Sequence, residues 1–362
     1  MNTVLMLLNF VAATDPAPPD SVGRQVGVRV QAGFIIPHAP DLRTISQTRP
    51  VGVELTYSRT ALSRAAYERC HCFARVGAYV NYVTFHNPAE LGRTYGMGGY
   101  FEPLIRYRQP LYFSLRATAG LTYLTRVYNA EINPRNAFFG TPLSGLLALS
   151  VSTQYRLTDR LHLSATVSYN HISNGGTRQP NRGMNFPAVG LGVTYVADPL
   201  LFPNASQWSR PALTNRFTKR IVAFGSVRML SGAGLFPEQA AYLWGLTATA
   251  GYRFSRFHAV TGGLEIVDDG YLRGQLRRAN VTANHRHRQL GLLGGYELWL
   301  GRYMFTTHLG WNVHQPAIPT DGRVFQRYQL LYTLQSRYLL GIGLKAKLNV
   351  AEGFDIRMGL QF

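Results

Sequence analysis

Leu161-His-Leu-Ser-Ala-Thr-Val-Ser-Tyr-Asn-His-Ile-Ser173 is the most informative segment of this 362-residue chain. Leu161, Leu163, Ala165, Val167 and Tyr169 alternate with His162, Ser164, Thr166, Ser168 and Asn170. Successive side chains of a strand point to opposite faces, so a period of two separates an apolar face from a polar one. His171 and Ser173 continue the apolar set, the side that meets lipid if the strand belongs to a membrane barrel. Two polar groups on that face are out of place unless they work there.

Other segments repeat the pattern. Tyr242, Trp244, Leu246, Ala248, Ala250, Tyr252 and Phe254 alternate with Leu243, Gly245, Thr247, Thr249, Gly251 and Arg253. Aromatics at both ends of an apolar row are the girdle of an outer-membrane strand. Leu340, Ile342, Leu344, Ala346 and Leu348 alternate with Gly341, Gly343, Lys345, Lys347 and Asn349. The last residues place Phe354, Ile356, Met358, Leu360 and Phe362 on one face. A terminal strand closing on Phe362 resembles the signal read by the barrel-insertion machinery of the outer membrane. Composition agrees, with 36 Gly, 21 Tyr and only 15% charged residues in 362. Beyond the N-terminus no run approaches the ~18 apolar residues of a membrane helix, so strands must do the spanning.

The chain therefore reads as an all-β, transmembrane antiparallel barrel of about sixteen strands in a bacterial outer membrane, with fourteen as an alternative count. The expected strands are 24–35, 49–59, 75–86, 97–107, 111–125, 145–156, 161–173, 185–196, 219–230, 242–254, 257–268, 288–300, 303–313, 325–335, 338–350 and 354–362. Tight turns at Arg108-Gln-Pro110, Thr158-Asp-Arg160, Ser255-Arg256, Gly301-Arg302 and Ser336-Arg337 mark the periplasmic end. An even count returns the C-terminus to that end. Residues 1–13 read as a signal peptide with its positive start missing, and 14–22 as a periplasmic lead-in. Residues 23–362 are the barrel, in halves 23–196 and 217–362 joined by the Pro-containing link Ala197 to Arg216. One barrel is favoured over two barrels of eight.

The formal charge is +19. No nucleic-acid motif accompanies it, so nucleic acid is not expected as a partner. Arg273, Arg277, Arg278, Arg286 and Arg288 crowd one outward loop, where arginine forks suit lipopolysaccharide phosphates. Cys70-His71-Cys72 suits a disulfide in an oxidising compartment. Further ligands at metal-site spacing are missing, and neither a metal nor a cofactor is expected.

A serine becomes a nucleophile when a neighbouring base takes its proton and a third group holds that base's tautomer. On the next strand Asn185, Pro187, Val189, Leu191, Val193 and Tyr195 form the outward row. Asn185 stands at its upper end, beside His171 and Ser173. Periodicity alone thus assembles Ser173, His171 and Asn185.

His171-Ile-Ser173-Asn174-Gly-Gly followed by Gln179-Pro-Asn181-Arg-Gly183-Met-Asn185 resembles the signature of the outer-membrane lipid A 3-O-deacylases of the PagL type. The resemblance is specific over 169–195, and the second half looks like longer relatives called acyloxyacyl hydrolases. It implies a serine esterase acting on lipid A of lipopolysaccharide, with Ser173 as nucleophile and His171 as base. The family's third residue is a glutamate where this chain has Asn185. Asn174 and Asn181 are the oxyanion candidates. The rival function is a non-catalytic barrel, either structural or a pore whose wall would include Lys345, Lys347 and Arg357.

Overall fold

The computed structural model describes residues 21–205, 208, 213, 215–232, 236–279, 287–314, 323–347 and 350–362. The expected signal peptide and most of the lead-in lie outside them. Sixteen antiparallel strands follow in order. They are β1 (Val22–Gly33), β2 (Val51–Ala61), β3 (Phe73–Thr84), β4 (Arg93–Ile105), β5 (Leu111–Leu124), β6 (Leu143–Arg156), β7 (Leu161–Ser173), β8 (Met184–Val196), β9 (Phe217–Leu230), β10 (Gln239–Arg253), β11 (His258–Asp269), β12 (Arg288–Leu300), β13 (Tyr303–His314), β14 (Val324–Leu334), β15 (Tyr338–Lys347) and β16 (Val350–Gln361). Helix α1 (Arg64–Glu68) links β2 to β3, and α2 (Gly270–Arg278) follows β11.

These strands close as two barrels of eight, not one of sixteen. β1 pairs with β8 from Gln25↔Val196 to Gly33↔Ala188, and β16 pairs with β9 from Ile356↔Gly225 to Gln361↔Arg220. Alternation along a strand is the same in either closure, which is why the pattern could not choose between them.

The faces are those the periodicity requires. Leu149, Val167 and Leu191 are 69%, 60% and 68% exposed, while His162, Thr166 and Asn170 are buried. Apolar side chains so exposed, repeated around a closed sheet, form a lipid-facing band.

Eight strands enclose a space just wide enough for side chains. In the first barrel Glu54 holds Arg116 at 2.8 Å and Arg29 at 3.0 Å, and Arg75 meets Glu102 at 3.2 Å. In the second, Arg327 lies between Glu265 at 2.8 Å and Asp355 at 2.6 Å. Arg357, fully buried, bonds Asp355 at 2.6 Å. Lys345 donates to Gln289 at 2.9 Å, and Lys347 meets Glu352 at 3.1 Å. The expected cationic pore wall is therefore a set of paired charges in a filled interior, and the wide aqueous lumen does not form.

An apolar plug caps the outer end of the first barrel. Ile35, Leu42, Phe85, Phe138, Phe139, Ile172, Met184 and Phe186 pack there, each at most 3% exposed. It clamps the ends of β7 and β8, which is where the candidate site lies. At the other end Cys70 and Cys72 form the expected disulfide.

Candidate active site

Strand pairing sets the first contact. His171 is the register partner of Asn185, and the two side chains stand on the same outward face. His171 Nδ1 lies 2.7 Å from Asn185 Oδ1. An amide oxygen can only accept, so Nδ1 carries the hydrogen and Nε2 keeps its lone pair. Ile172 and Met184, one residue along each strand, point inward into the plug and are 1% and 0% exposed. The outward pair is thus mounted on a rigid base.

Ser173 ends β7 and is 7% exposed beneath the Asn174–Gly183 loop. Its Oγ receives hydrogen bonds from Asn181 Nδ2 at 3.0 Å and from the Gly175 N–H at 3.1 Å. Its hydroxyl is therefore turned toward the loop, whereas the sequence places it on the same face as His171 and within reach of that ring. The two groups still share a wall. A Cβ on Gly183 would come within 3.1 Å of His171 Cε1 and 3.5 Å of Ser173 Cβ. Gly183 also has φ +68°, a conformation that L side chains rarely adopt.

The two oxyanion candidates separate. Asn181 reaches the serine oxygen directly, and its Oδ1 accepts from the Asn174 N–H at 3.2 Å. The Asn174 side chain is spent inside the loop, accepting from Gly176 N–H at 2.9 Å and donating to the Arg178 carbonyl at 2.9 Å. Gly175, which sequence reasoning passed over, supplies the second donor to the serine. The Asn-Gly-Gly triplet carried that signal, because φ of +70° and +84° at Gly175 and Gly176 turns these N–H groups back on the strand end.

The loop is braced from the plug side. Arg182 and Gly183 donate backbone hydrogen bonds to Ala137 and Phe138 at 3.1 and 3.3 Å, and His38 Nε2 lies 2.9 Å from the Arg182 carbonyl. No residue pattern in the sequence announced that support.

Of the basic cluster, Arg273, Arg277 and Arg278 lie on or beside α2 and Arg288 begins β12, while Arg286 lies outside the described residues. A helix replaces the expected loop. Asp269 caps it by accepting from Leu272 N–H at 3.0 Å, and Leu276 four residues on is buried. Asp268 holds Arg273 at 2.6 Å and Arg288 at 3.3 Å. Burial and the Arg273 charge push His287 below the usual histidine range.

Two family models match the chain. Residues 71–194 match the lipid A 3-O-deacylase (PagL) model, and 208–362 match the C-terminal domain of acyloxyacyl hydrolase. Residues 71–194 belong to the lipid A 3-O-deacylase (PagL) family, and residues 208–362 are an acyloxyacyl hydrolase C-terminal domain. The first match holds His171, Ser173 and Asn185, and the second spans the whole C-terminal barrel. Its place is the outer membrane. No curated protein matches the sequence. Among solved structures it is similar to the outer membrane enzyme PagL, at 13% identity over 46% of this chain and 97% of that one, TM-score 0.35. Neisserial surface protein A is similar at 12% identity over 50% and 99%, TM-score 0.31. A mutant of the monoaromatic hydrocarbon channel TodX is similar at 10% identity over 95% and 89%, TM-score 0.20.

Proposed function

We propose that this family member is a serine esterase that removes an ester-linked acyl chain from lipid A of lipopolysaccharide. The observation that carries the reading is the 2.7 Å contact of His171 with Asn185 beside Ser173. It holds the imidazole in the tautomer a general base needs, on the lipid-facing side of the barrel.

Ser173 turns from Asn181 toward His171 when substrate arrives, a rearrangement in keeping with catalytic contacts that tighten only in the complex. Nε2 takes the hydroxyl proton as Oγ adds to the ester carbonyl. The Asn181 amide and Gly175 N–H, already beside Oγ, meet the developing oxyanion. As the tetrahedral carbon collapses, its bond to the sugar oxygen breaks and His171 returns the proton to that oxygen. Water, deprotonated by the same nitrogen, then releases the fatty acid from Ser173. Asn185 orients the ring but carries no charge to stabilise the imidazolium, so the rate is expected to be modest. Arg273, Arg277, Arg278, Arg286 and Arg288 would hold lipopolysaccharide phosphates at the outer surface.

Mass spectrometry of lipid A treated with purified protein tests the reading. Loss of one acyl chain is expected, and Ser173→Ala and His171→Ala should each lower the rate by at least about a thousandfold. Unchanged lipid A across several acylation forms would overturn it.

A further inference from the structure

The two barrels meet at the nucleophile's loop. β9 and β16 pair only as far up as Gly225 and Ile356, so the closing seam of the second barrel parts above them. The Asn174–Gly176 turn of the first barrel docks in that opening. The Met229 N–H donates to the Gly176 carbonyl at 3.1 Å. Phe354 packs on Gly175, where an added Cβ would come within 2.9 Å of its ring.

A cavity of about 80 Å³ remains between them, with Ser173, Gln179 and Asn181 on one side and Arg228, Glu352 and Phe354 on the other. On the same measure one water needs roughly 10–15 Å³, so the space admits a small anion. The Arg228 guanidinium is held 3.9 Å from the Tyr271 ring centroid. Among the described residues, no salt bridge or hydrogen bond occupies it. Glu352, the acid sharing the cavity, lies 3.1 Å from Lys347 and 3.9 Å from Lys345. Positive charge is therefore in excess on the wall facing Ser173, and its leading group is an arginine fork.

We propose that Arg228 is the head-group residue of the Ser173 site, binding a phosphate monoester on the sugar of a phosphorylated glycolipid. The C-terminal barrel then completes the site and helps set which ester reaches the serine. A guanidinium grips phosphate oxygens two at a time, and a lysine there would lose that geometry. The inference rests on the esterase reading of Ser173, so its test must not depend on turnover.

Binding is measured with the intact chain carrying Ser173→Ala, in detergent, using lipid A with its phosphates and the same lipid A after phosphatase treatment. The Ser173→Ala protein should bind the phosphorylated form about tenfold more tightly, a charge-assisted pair's worth of affinity. In salt high enough to screen the exposed arginines of α2, adding Arg228→Gln should erase that preference, and Arg228→Lys should restore part of it. A tenfold preference that survives Arg228→Gln, with the barrel still folded by its gel shift, overturns the proposal. So does an equal affinity for both lipids in the Ser173→Ala protein. If the wild-type chain cleaves no ester yet the Arg228-dependent preference is present, the anion site stands and the esterase reading alone fails.

Discussion

His171 and Asn185 are register partners on adjacent strands and touch at 2.7 Å through Nδ1 and Oδ1. A neutral amide thus stands at the position where the resemblance to the deacylases implies a carboxylate. An amide fixes the ring's tautomer as well as a carboxylate does, but it stabilises the imidazolium less.

Replacing Asn185 with Glu should therefore raise the rate about tenfold or more, because a carboxylate this close favours the charged ring. The sign fixes the pH effect. Raising the imidazole pKa moves the acid limb of the rate profile toward higher pH, so the gain is largest above neutrality. Asn185→Ala should lower the rate about a hundredfold at unchanged stability. A glutamate variant slower than wild type at every pH would contradict this account of Asn185.

Gly183→Ala should cost about 1–2 kcal/mol through its positive φ, and activity should fall further than stability. The added methyl would press on His171 Cε1 and displace the base from the serine. Denaturant titration beside steady-state rates separates the two effects. Full activity in Gly183→Ala would show that the loop over the site tolerates a shift.

Arginine at Ala248, on the lipid face, should cost ~2–4 kcal/mol near the membrane midplane. Thr247, next along the strand, is 2% exposed inside the filled barrel. Arginine there should also destabilise, by about 1–3 kcal/mol from overpacking. Reversible unfolding in lipid vesicles measures both. A mild Thr247→Arg would mean an open lumen.

Glu265 binds Arg327 through both oxygens at 2.8 Å in the core of the second barrel. Glu265→Gln leaves a buried guanidinium with less compensation and should cost about 3–5 kcal/mol. The same unfolding assay reads it, and a loss below about 1 kcal/mol would show that Asp355 alone suffices.

Binding of lipopolysaccharide should weaken as salt rises, because exposed charges are screened. With Arg273 and Arg288 shared with Asp268, Arg277 and Arg278 should carry most of the effect. Arg277→Gln with Arg278→Gln should flatten the salt dependence, and an unchanged slope would remove the basic cap from the binding surface.

The strands, their faces and the pairing of His171 with Asn185 were legible in the residue pattern. All three follow from a period of two. Leu161 to Ser173 set the face of β7, and the short connection to Asn185 brought His171 its partner, since neighbouring antiparallel strands align whatever encloses them. The helix after Asp269 was read as a loop; its signal lay in the Asp269 cap and the Leu272–Leu276 spacing, which the charge of its arginines obscured. Barrel closure was not legible. Whether β8 returns to β1 or continues to β9 depends on shear and on which buried charges find partners, such as Arg116 with Glu54 across 62 residues. Period-two alternation is indifferent to that choice. Nor could the sequence bring Arg228 and Phe354 to the Ser173 loop, or turn the serine toward Asn181. Those placements arise from packing between distant segments, where many local patterns are compatible with each arrangement and only the assembled contacts select one.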